Sequence, residues 1–319
     1  MGSVVVSVDA ELGWGFHDLE SPPRHRVEAG RRGWRSLLSL FDRYDVPATW
    51  AVVGHLMLED CDGRHHDHPA PPTWFERERT AWADRPDLRF GRELVGELLA
   101  SPVDHEFASH SFSHVLFGAD WTSRRLADAE TRRAREVAAD WGLEPTSFVY
   151  PRNDVGHREA LAKSGFTAYR GRTPTPEGIR AILETGLGGK SLLVEPHVDR
   201  HGLVNVPASL FLFGFEGRLR SVAEPVLGDP MVQTARRAID QATAGDGVCH
   251  LWVHPNNLTH PRDDDRMRAI LAHVDRRRAD GLIVETMADV ADRVLEAGDA
   301  IPTAAPTGSG SEADVAADD

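Results

Sequence analysis

His110 and His114 stand four residues apart in the segment His110-Ser-Phe-Ser-His114. On one helical turn, two imidazoles at that spacing share a face and can hold one metal ion, leaving positions for a third ligand and a water. With 16 histidines in 319 residues the spacing also arises readily by chance, so its surroundings must decide. The pair directly follows a strand-like stretch, His105 to His110, which puts both rings at a strand's C-terminal end. Asp9 and Glu11 lie two apart at the end of a β-branched run beginning at Ser3, a spacing that turns both carboxylates to one side. One of them can complete a two-histidine, one-carboxylate metal site while the other stays free as a general base. Metal-assisted hydrolysis needs that division of labour.

These groups must be positioned by regular elements, and the chain predicts an alternation of them. Strands are expected over Ser3 to Val8, Ala48 to Val53, His105 to His110, Ser147 to Tyr150, Thr167 to Arg170 and Val248 to Val253. Between and after them, helical spacing marks Val27 to Tyr44, Glu93 to Leu99, Ser123 to Trp141, His157 to Ser164, Met231 to Thr243 and Arg266 to Arg278, while Gly188 to Gly214 reads as irregular and β-rich. Repeated β-then-α units argue for a parallel α/β fold, either barrel or doubly wound, with its chemistry at the C-terminal ends of the strands. Glu59 to Phe90 is rich in His, Pro, Trp and charge without a sustained period, and reads as a lid-like insertion too short to be a domain. Residues 301–319 read as a disordered acidic tail after a single domain spanning 1–300.

Composition narrows the partners. The formal net charge is −14 with pI ≈ 5.6, which disfavours a broad grip on nucleic acid or an anionic membrane. The start carries no cationic, apolar leader pattern and no apolar run is long enough to span a bilayer, so a soluble cytoplasmic protein is expected. Cys61 and Cys249 lack CxxC spacing and indicate neither a disulfide framework nor a cysteine zinc site. Lys163 and Lys190 are the sole lysines, an arginine bias that salt adaptation and a GC-rich genome explain equally well.

The motifs resemble those of the polysaccharide deacetylases, the NodB-homology or carbohydrate esterase family 4-like enzymes. His110-Ser-Phe-Ser-His114 matches the family's His-Ser/Thr-x-x-His, and Ala48-Thr-Trp-Ala-Val-Val-Gly54 is similar to its second strand. Val6-Ser-Val-Asp-Ala-Glu11 departs from the family's Thr-Phe-Asp-Asp-Gly, because Ala10 takes the usual ligand position; it is more similar to branches with an Asp-x-Asp or Asp-x-Glu start followed shortly by Gly-Trp, here Gly13-Trp14. On that match Asp9 is the catalytic base, and Glu11, His110 and His114 are the metal ligands. Phe148-Val-Tyr-Pro-Arg-Asn153 stands where the family has Arg-x-Pro-Tyr, with the arginine moved, and implies Arg152 as the residue that orients Asp9. Leu251-Trp-Val-His254 is the nearest equivalent of the family's Leu-x-His and implies His254 as the acid for the leaving group; His250, on the same strand, reads as structural.

The resemblance extends over roughly Val4 to Val294. It implies a distorted, incomplete (β/α) barrel with one divalent metal, commonly zinc, and hydrolytic removal of N-acetyl groups from an amino sugar or glycan intermediate. Two alternatives keep the same barrel: hydrolysis of a non-sugar C–N amide, or non-catalytic glycan binding, which would need neither base nor acid. The motifs imply no oligomeric state. In the insertion, His65-His66-Asp67-His68 reads as a solvated run in preference to a second metal site, and Trp74, Phe75 and Trp82 suit either sugar stacking or pinning of the loop.

Overall fold

The computed structural model describes residues 1–172, 191–213 and 229–299. Its centre is β1 (Ser3–Ala10), whose eight residues are all buried. A strand buried on both faces reads as a continuous apolar run, and Val4, Val5, Val6 and Val8 supply it. Strand β1 pairs in parallel with β2 (Thr49–Val52) on one side and β9 (Val248–Val253) on the other. From β2 the sheet continues through β3 (Glu106–Ser109), β4 (Ser147–Val149) and β5 (Ala168–Arg170) to the short β7 (Val204–Asn205) and β6 (His197–Val198). Beyond β9 lies β8 (Leu210–Phe211), and β10 (Ile283–Val284) pairs with the start of β1. The described pairings are parallel except that of β6 with β7 and one bridge between Val194 and Val248. The result is a mixed α/β fold, as the alternation predicts, with a curled half-barrel sheet, as the family resemblance implies. Residues 188–190 and 214 of the β-rich stretch, and 300–319, lie outside the described residues.

Helix α1 (Arg24–Tyr44) follows Pro22-Pro23 and ends where Asp45 enters the left-handed region at φ 50°. Its face of Val27, Trp34, Leu37, Leu38 and Phe41 is buried, and Trp34 and Phe41 pack on Trp50 of β2 with ring centroids 5.2 and 6.0 Å away. Gly33 lets this helix lie directly on the backbone after β9: a Cβ there would overlap the Pro255 carbonyl, next to His254. Short helices α2 (Glu76–Arg79) and α3 (Pro86–Arg89) belong to the insertion; α4 (Arg92–Leu99), α5 (Arg124–Ala139) and α6 (Arg158–Lys163) follow the expected alternation. Helices α7 (Pro230–Ala244), α8 (Pro261–Arg278) and α9 (Met287–Asp299) complete the outer layer.

Residues 59–90 do not stand away from the barrel. Phe75, Trp82 and Leu88 are buried, Phe75 within the principal core and the other two in a cluster with Phe16 and Val27. Of the two roles open to these aromatics, Phe75 and Trp82 take the pinning one, because a segment lacking regular periodicity can order itself only by burying its few large side chains. Phe75→Ala should therefore lower unfolding free energy by about 3–5 kcal/mol in urea titrations. A segment that merely covered the site would leave the midpoint unchanged.

Candidate active site

The C-terminal ends of β1, β3, β5 and β9 converge on one set of side chains. At the end of β1, Asp9 and Glu11 are buried to 3% and 4% exposure. Glu11 curls over Gly15, where any Cβ would overlap its carboxylate, so the glycine is a condition of this geometry. Glu11 Oε2 lies 3.1 Å from His114 Nε2 and 3.5 Å from His110 Nε2, and its Oε1 accepts a hydrogen bond from Asn256 Nδ2 at 3.1 Å.

The two histidines do not sit on a helical turn. Ser111 and His114 adopt positive φ, 62° and 63°, and the segment is a tight irregular loop. It is held from below by Glu130 of α5, whose Oε2 accepts from the backbone N–H groups of Phe112 (3.0 Å) and Ser113 (2.8 Å) and whose Oε1 accepts from the Ser113 hydroxyl at 2.5 Å. His114 N–H donates to Ser111 Oγ at 3.0 Å. The rings still meet, with centroids 5.1 Å apart, because β3 ends at Ser109 and the loop turns both inward. His110 Nδ1 faces the Val149 carbonyl at 2.8 Å; a carbonyl only accepts, so Nδ1 carries the proton and Nε2 points its lone pair at Glu11. That Nε2 is buried without a hydrogen-bond partner. An orphaned buried imidazole nitrogen, a second imidazole and a carboxylate suit one divalent ion, with the Val149 contact fixing the tautomer as metal sites commonly do.

Asp9 is held differently. Arg170, at the end of β5 and fully buried, donates from Nη1 to Oδ1 at 2.6 Å and from Nη2 to Oδ2 at 2.7 Å. The same guanidinium donates to Ser7 Oγ at 3.0 Å and Asn153 Oδ1 at 2.8 Å, and lies 4.5 Å from the Trp252 ring centroid. Ser7 Oγ is also 2.9 Å from His250 Nε2, while His250 Nδ1 faces the Val206 and Pro207 carbonyls at 3.3 and 3.2 Å. Those carbonyls only accept, so Nδ1 carries the proton and Nε2 accepts from Ser7, whose oxygen is then oriented to accept from Arg170. Burial, with the charge of Arg170 beside it, pushes the His250 imidazole down to about 3, so it is neutral and works as a brace.

The expectation that Arg152 orients Asp9 is corrected. Arg152 and Asn153 both have positive φ, 57° and 52°, a bend that directs Arg152 to Asp18 Oδ1 (2.7 Å) and the Gly15 carbonyl (3.0 Å) and leaves Asn153 to face Arg170. Arg170 was legible only as the last residue of an expected strand. An arginine at the buried end of a parallel strand was the available signal, and Asn256, two residues past His254, was the other residue missed.

His254 lies at the end of β9, part-exposed, with Nε2 3.7 Å from both Asp9 Oδ2 and Glu11 Oε1. Its Nδ1 is 3.2 Å from Asn257 Oδ1, which turns Nε2 toward the carboxylates. Burial alone would raise the Asp9 carboxyl, but the Arg170 guanidinium, with His110 and His254 nearby, outweighs it and keeps Asp9 below the ordinary range. For Glu11, burial is likewise overcome, by the charge of His254 and by the His110 and His114 rings beside it, and the carboxyl is held well below its usual value. His17, whose ring centroid lies 6.0 Å from that of His114, is pushed down to about 4 by burial and by His114, so it is neutral.

The class defined by this fold is a mixed α/β, NodB-type half-barrel. The polysaccharide deacetylase family model matches residues 25–169, in keeping with the motif resemblance. The matched stretch contains His110 and His114 and leaves Asp9, Glu11, Arg170 and His254 outside it. Among solved structures, the chain is similar to a protein designated a polysaccharide deacetylase from Mycobacterium smegmatis, with TM-score 0.57 and 19% identity over 93% of this chain and 91% of that one. A protein so designated from Pseudomonas aeruginosa gives TM-score 0.59 and 14% identity over 92% and 91%. The allantoinase PuuE gives 0.56 and 14% over 92% and 90%. No curated protein matches in sequence. At these identities the solved structures share the fold. No helix among the described residues is long and apolar enough to cross a membrane.

The two arginines can be separated by stability. Arg170→Met strands a buried carboxylate and should cost about 3–5 kcal/mol, whereas Arg152→Met breaks a half-exposed pair and should cost below about 1 kcal/mol. The pH dependence should differ in sign. With Arg170 present, the depressed Asp9 pKa adds stability above the unfolded value, roughly 4, that is lost on acidification. In Arg170→Met, burial would dominate and raise that pKa, so the variant should lose stability as pH rises above about 4. Urea midpoints across pH, with Arg152→Met as control, measure both effects.

Proposed function

We propose that the chain is a metal-dependent hydrolase that removes N-acetyl groups from an amino sugar or glycan intermediate, with Asp9 as base, His254 as acid, and Glu11, His110 and His114 holding one divalent ion, zinc by choice of donors. The observation that carries this reading is the pair of buried carboxylates with separate partners. Asp9 is kept ionised by Arg170, which is no metal ligand, while Glu11 is grouped with two imidazoles. A binding protein would have no use for that separation. A divalent ion at the three ligands supplies Lewis-acid polarisation of the scissile carbonyl.

The protein groups account for the proton transfers. Asp9, ionised and rigidly clamped, accepts a proton from the water that attacks the acetamide carbon. His254, part-exposed at the end of β9 with Nε2 3.7 Å from both carboxylates, donates a proton to the departing amine. Asn257 holds that ring by its other nitrogen. Acetate and the free amine leave. Trp74, part-buried, donates its indole N–H to the Ser113 carbonyl at 3.1 Å, and packs on His17 and on Trp121, which is 42% exposed. The two indoles form an aromatic wall beside His114 that suits the face of a sugar ring.

Acetate release should be measured across a panel of N-acetylhexosamines and their short oligomers, with allantoin included because of the fold shared with an allantoinase. Release of acetate from at least one sugar supports the reading; turnover of allantoin alone would move the substrate to a non-sugar amide, and metal-replete protein inactive on every N-acetylated sugar would overturn the deacetylase assignment. Asp9→Asn should retain metal while turnover falls by roughly 10²-fold or more. Glu11→Gln should lose metal and be partly rescued by added metal, since a neutral amide is a poorer ligand than a carboxylate. The reverse rescue pattern would exchange the two roles.

A further inference from the structure

A second group of ligand-type side chains lies apart from the strand-end site. His55, Cys61, His65 and Glu78 each bring one ligand atom into a cluster in which all four atoms lie within 4.8 Å of one another. His55 belongs to the barrel, in the single turn Gly54–Met57 that follows β2; the other three belong to the 59–90 insertion, Glu78 on α2. Glu78 Oε1 is 3.0 Å from His65 Nε2, Glu78 Oε2 is 2.9 Å from His55 Nε2, and Cys61 Sγ is 3.4 Å from His65 Nε2. Tetrahedral zinc, with bonds of about 2.0–2.3 Å, sets its ligand atoms roughly 3.3–3.8 Å apart. The cluster is thus within small side-chain adjustments of that geometry.

The ring of His55 gives an independent indication. It is fully buried, and its Nδ1 faces the Arg89 carbonyl at 3.3 Å, which assigns the proton to Nδ1 and aims the Nε2 lone pair into the cluster. That buried Nε2 lies 2.9 Å from Glu78 Oε2 but in no hydrogen-bonding geometry. Leaving such a group unsatisfied is costly, and a cation at the centre of the cluster would satisfy it. Arg89 supports the surrounding shell, donating from Nη2 to Glu78 Oε2 at 2.9 Å and to the Cys61 carbonyl at 2.7 Å, which leaves Glu78 Oε1 for a ligand role. The Gly63 N–H donates to Cys61 Sγ at 3.3 Å, as it would to a thiolate.

We propose that His55, Cys61, His65 and Glu78 form a structural zinc site that fastens the 59–90 insertion to the barrel. One thiolate, two imidazoles and one carboxylate select a borderline-soft divalent ion over calcium or magnesium, and four protein ligands close the coordination sphere. The ion cross-links the end of β2 to α2. Phe75, three residues before Glu78, stacks on His65 with centroids 3.8 Å apart, and Trp74 beside it is the inner part of the aromatic wall near His114. The site therefore sets the position of that wall without touching the reacting groups, and it stands independently of the proposed deacetylation.

The test uses cobalt as a probe, because the strand-end site contains no sulfur and Cys249 is buried in the core with its thiol pushed up to about 12. Full-length protein loaded with Co²⁺ should show a thiolate-to-cobalt charge-transfer band. That band should vanish in Cys61→Ser, which should also bind one zinc fewer per chain by elemental analysis, and should persist in His110→Ala. Alkylation of Cys61 by iodoacetamide in the wild-type protein, read by mass spectrometry, should slow by about tenfold or more with Zn²⁺ and recover on chelation; this arm needs no variant. A Co²⁺-loaded protein without the band, a band that survives Cys61→Ser, or an alkylation rate indifferent to Zn²⁺ would overturn the proposal.

Discussion

Two carboxylates buried two residues apart at the end of the central strand are the constraint on which the rest of the site depends. Burying an ionised carboxylate is expensive unless opposite charge and hydrogen-bond donors take the place of water, and here two must be accommodated within one strand end. The chain does this by giving each a distinct environment. Asp9 receives a bidentate guanidinium from β5, while Glu11 receives two imidazoles from the loop after β3 and an amide from the loop after β9. Different partners make the two groups chemically different although they share a strand end.

Rigidity behind these contacts comes from polar groups whose donor and acceptor roles leave little freedom. The Pro207 carbonyl sets the His250 tautomer, His250 orients the Ser7 hydroxyl, and Ser7 leaves Arg170 one geometry on Asp9. On the other side, Glu130 is fully buried yet kept below the usual carboxylate range, burial being outweighed by His68 and by the hydroxyl and amide of Ser113. Its hold on the backbone allows two non-glycine residues to stay at positive φ, a strained arrangement that persists where surrounding contacts over-determine it. The insertion joins the same framework through His68, 3.2 Å from Glu130, and through Trp74 on Ser113. The histidine loop is thus supported by α5 beneath and by the insertion beside it, and Phe75, Trp82 and Leu88 of residues 59–90 are buried in the core clusters.

Much of this was readable from the chain. The β/α alternation, the parallel sheet and the placement of Asp9, Glu11, His110, His114 and His254 at strand ends follow from periodicity and short motifs, because each is encoded within a few consecutive residues. The local geometry of the histidine pair was not: four-residue spacing suits a helical turn, but Glu130, contributed by a later helix, stabilises a loop instead. Cys61 looked isolated because its neighbours in the cluster are dispersed between residues 55 and 78, with no CxxC or HxxxH spacing to reveal them.

The partner of Asp9 shows where the division falls. A motif analogy pointed to Arg152, and the order Pro-Arg in place of Arg-x-Pro already set this chain apart from the pattern. The arginine that binds Asp9 is 161 residues away from it and arrives because β5 lies four strands across the curled sheet, with its end facing the same mouth. Sequence by itself determined which residues can do chemistry and which strand ends carry them, since backbone periodicity and side-chain type are local properties. Only the tertiary structure decided which charge neutralises which, because that depends on the curvature that brings non-neighbouring strands together and on the burial that makes an unpaired charge intolerable.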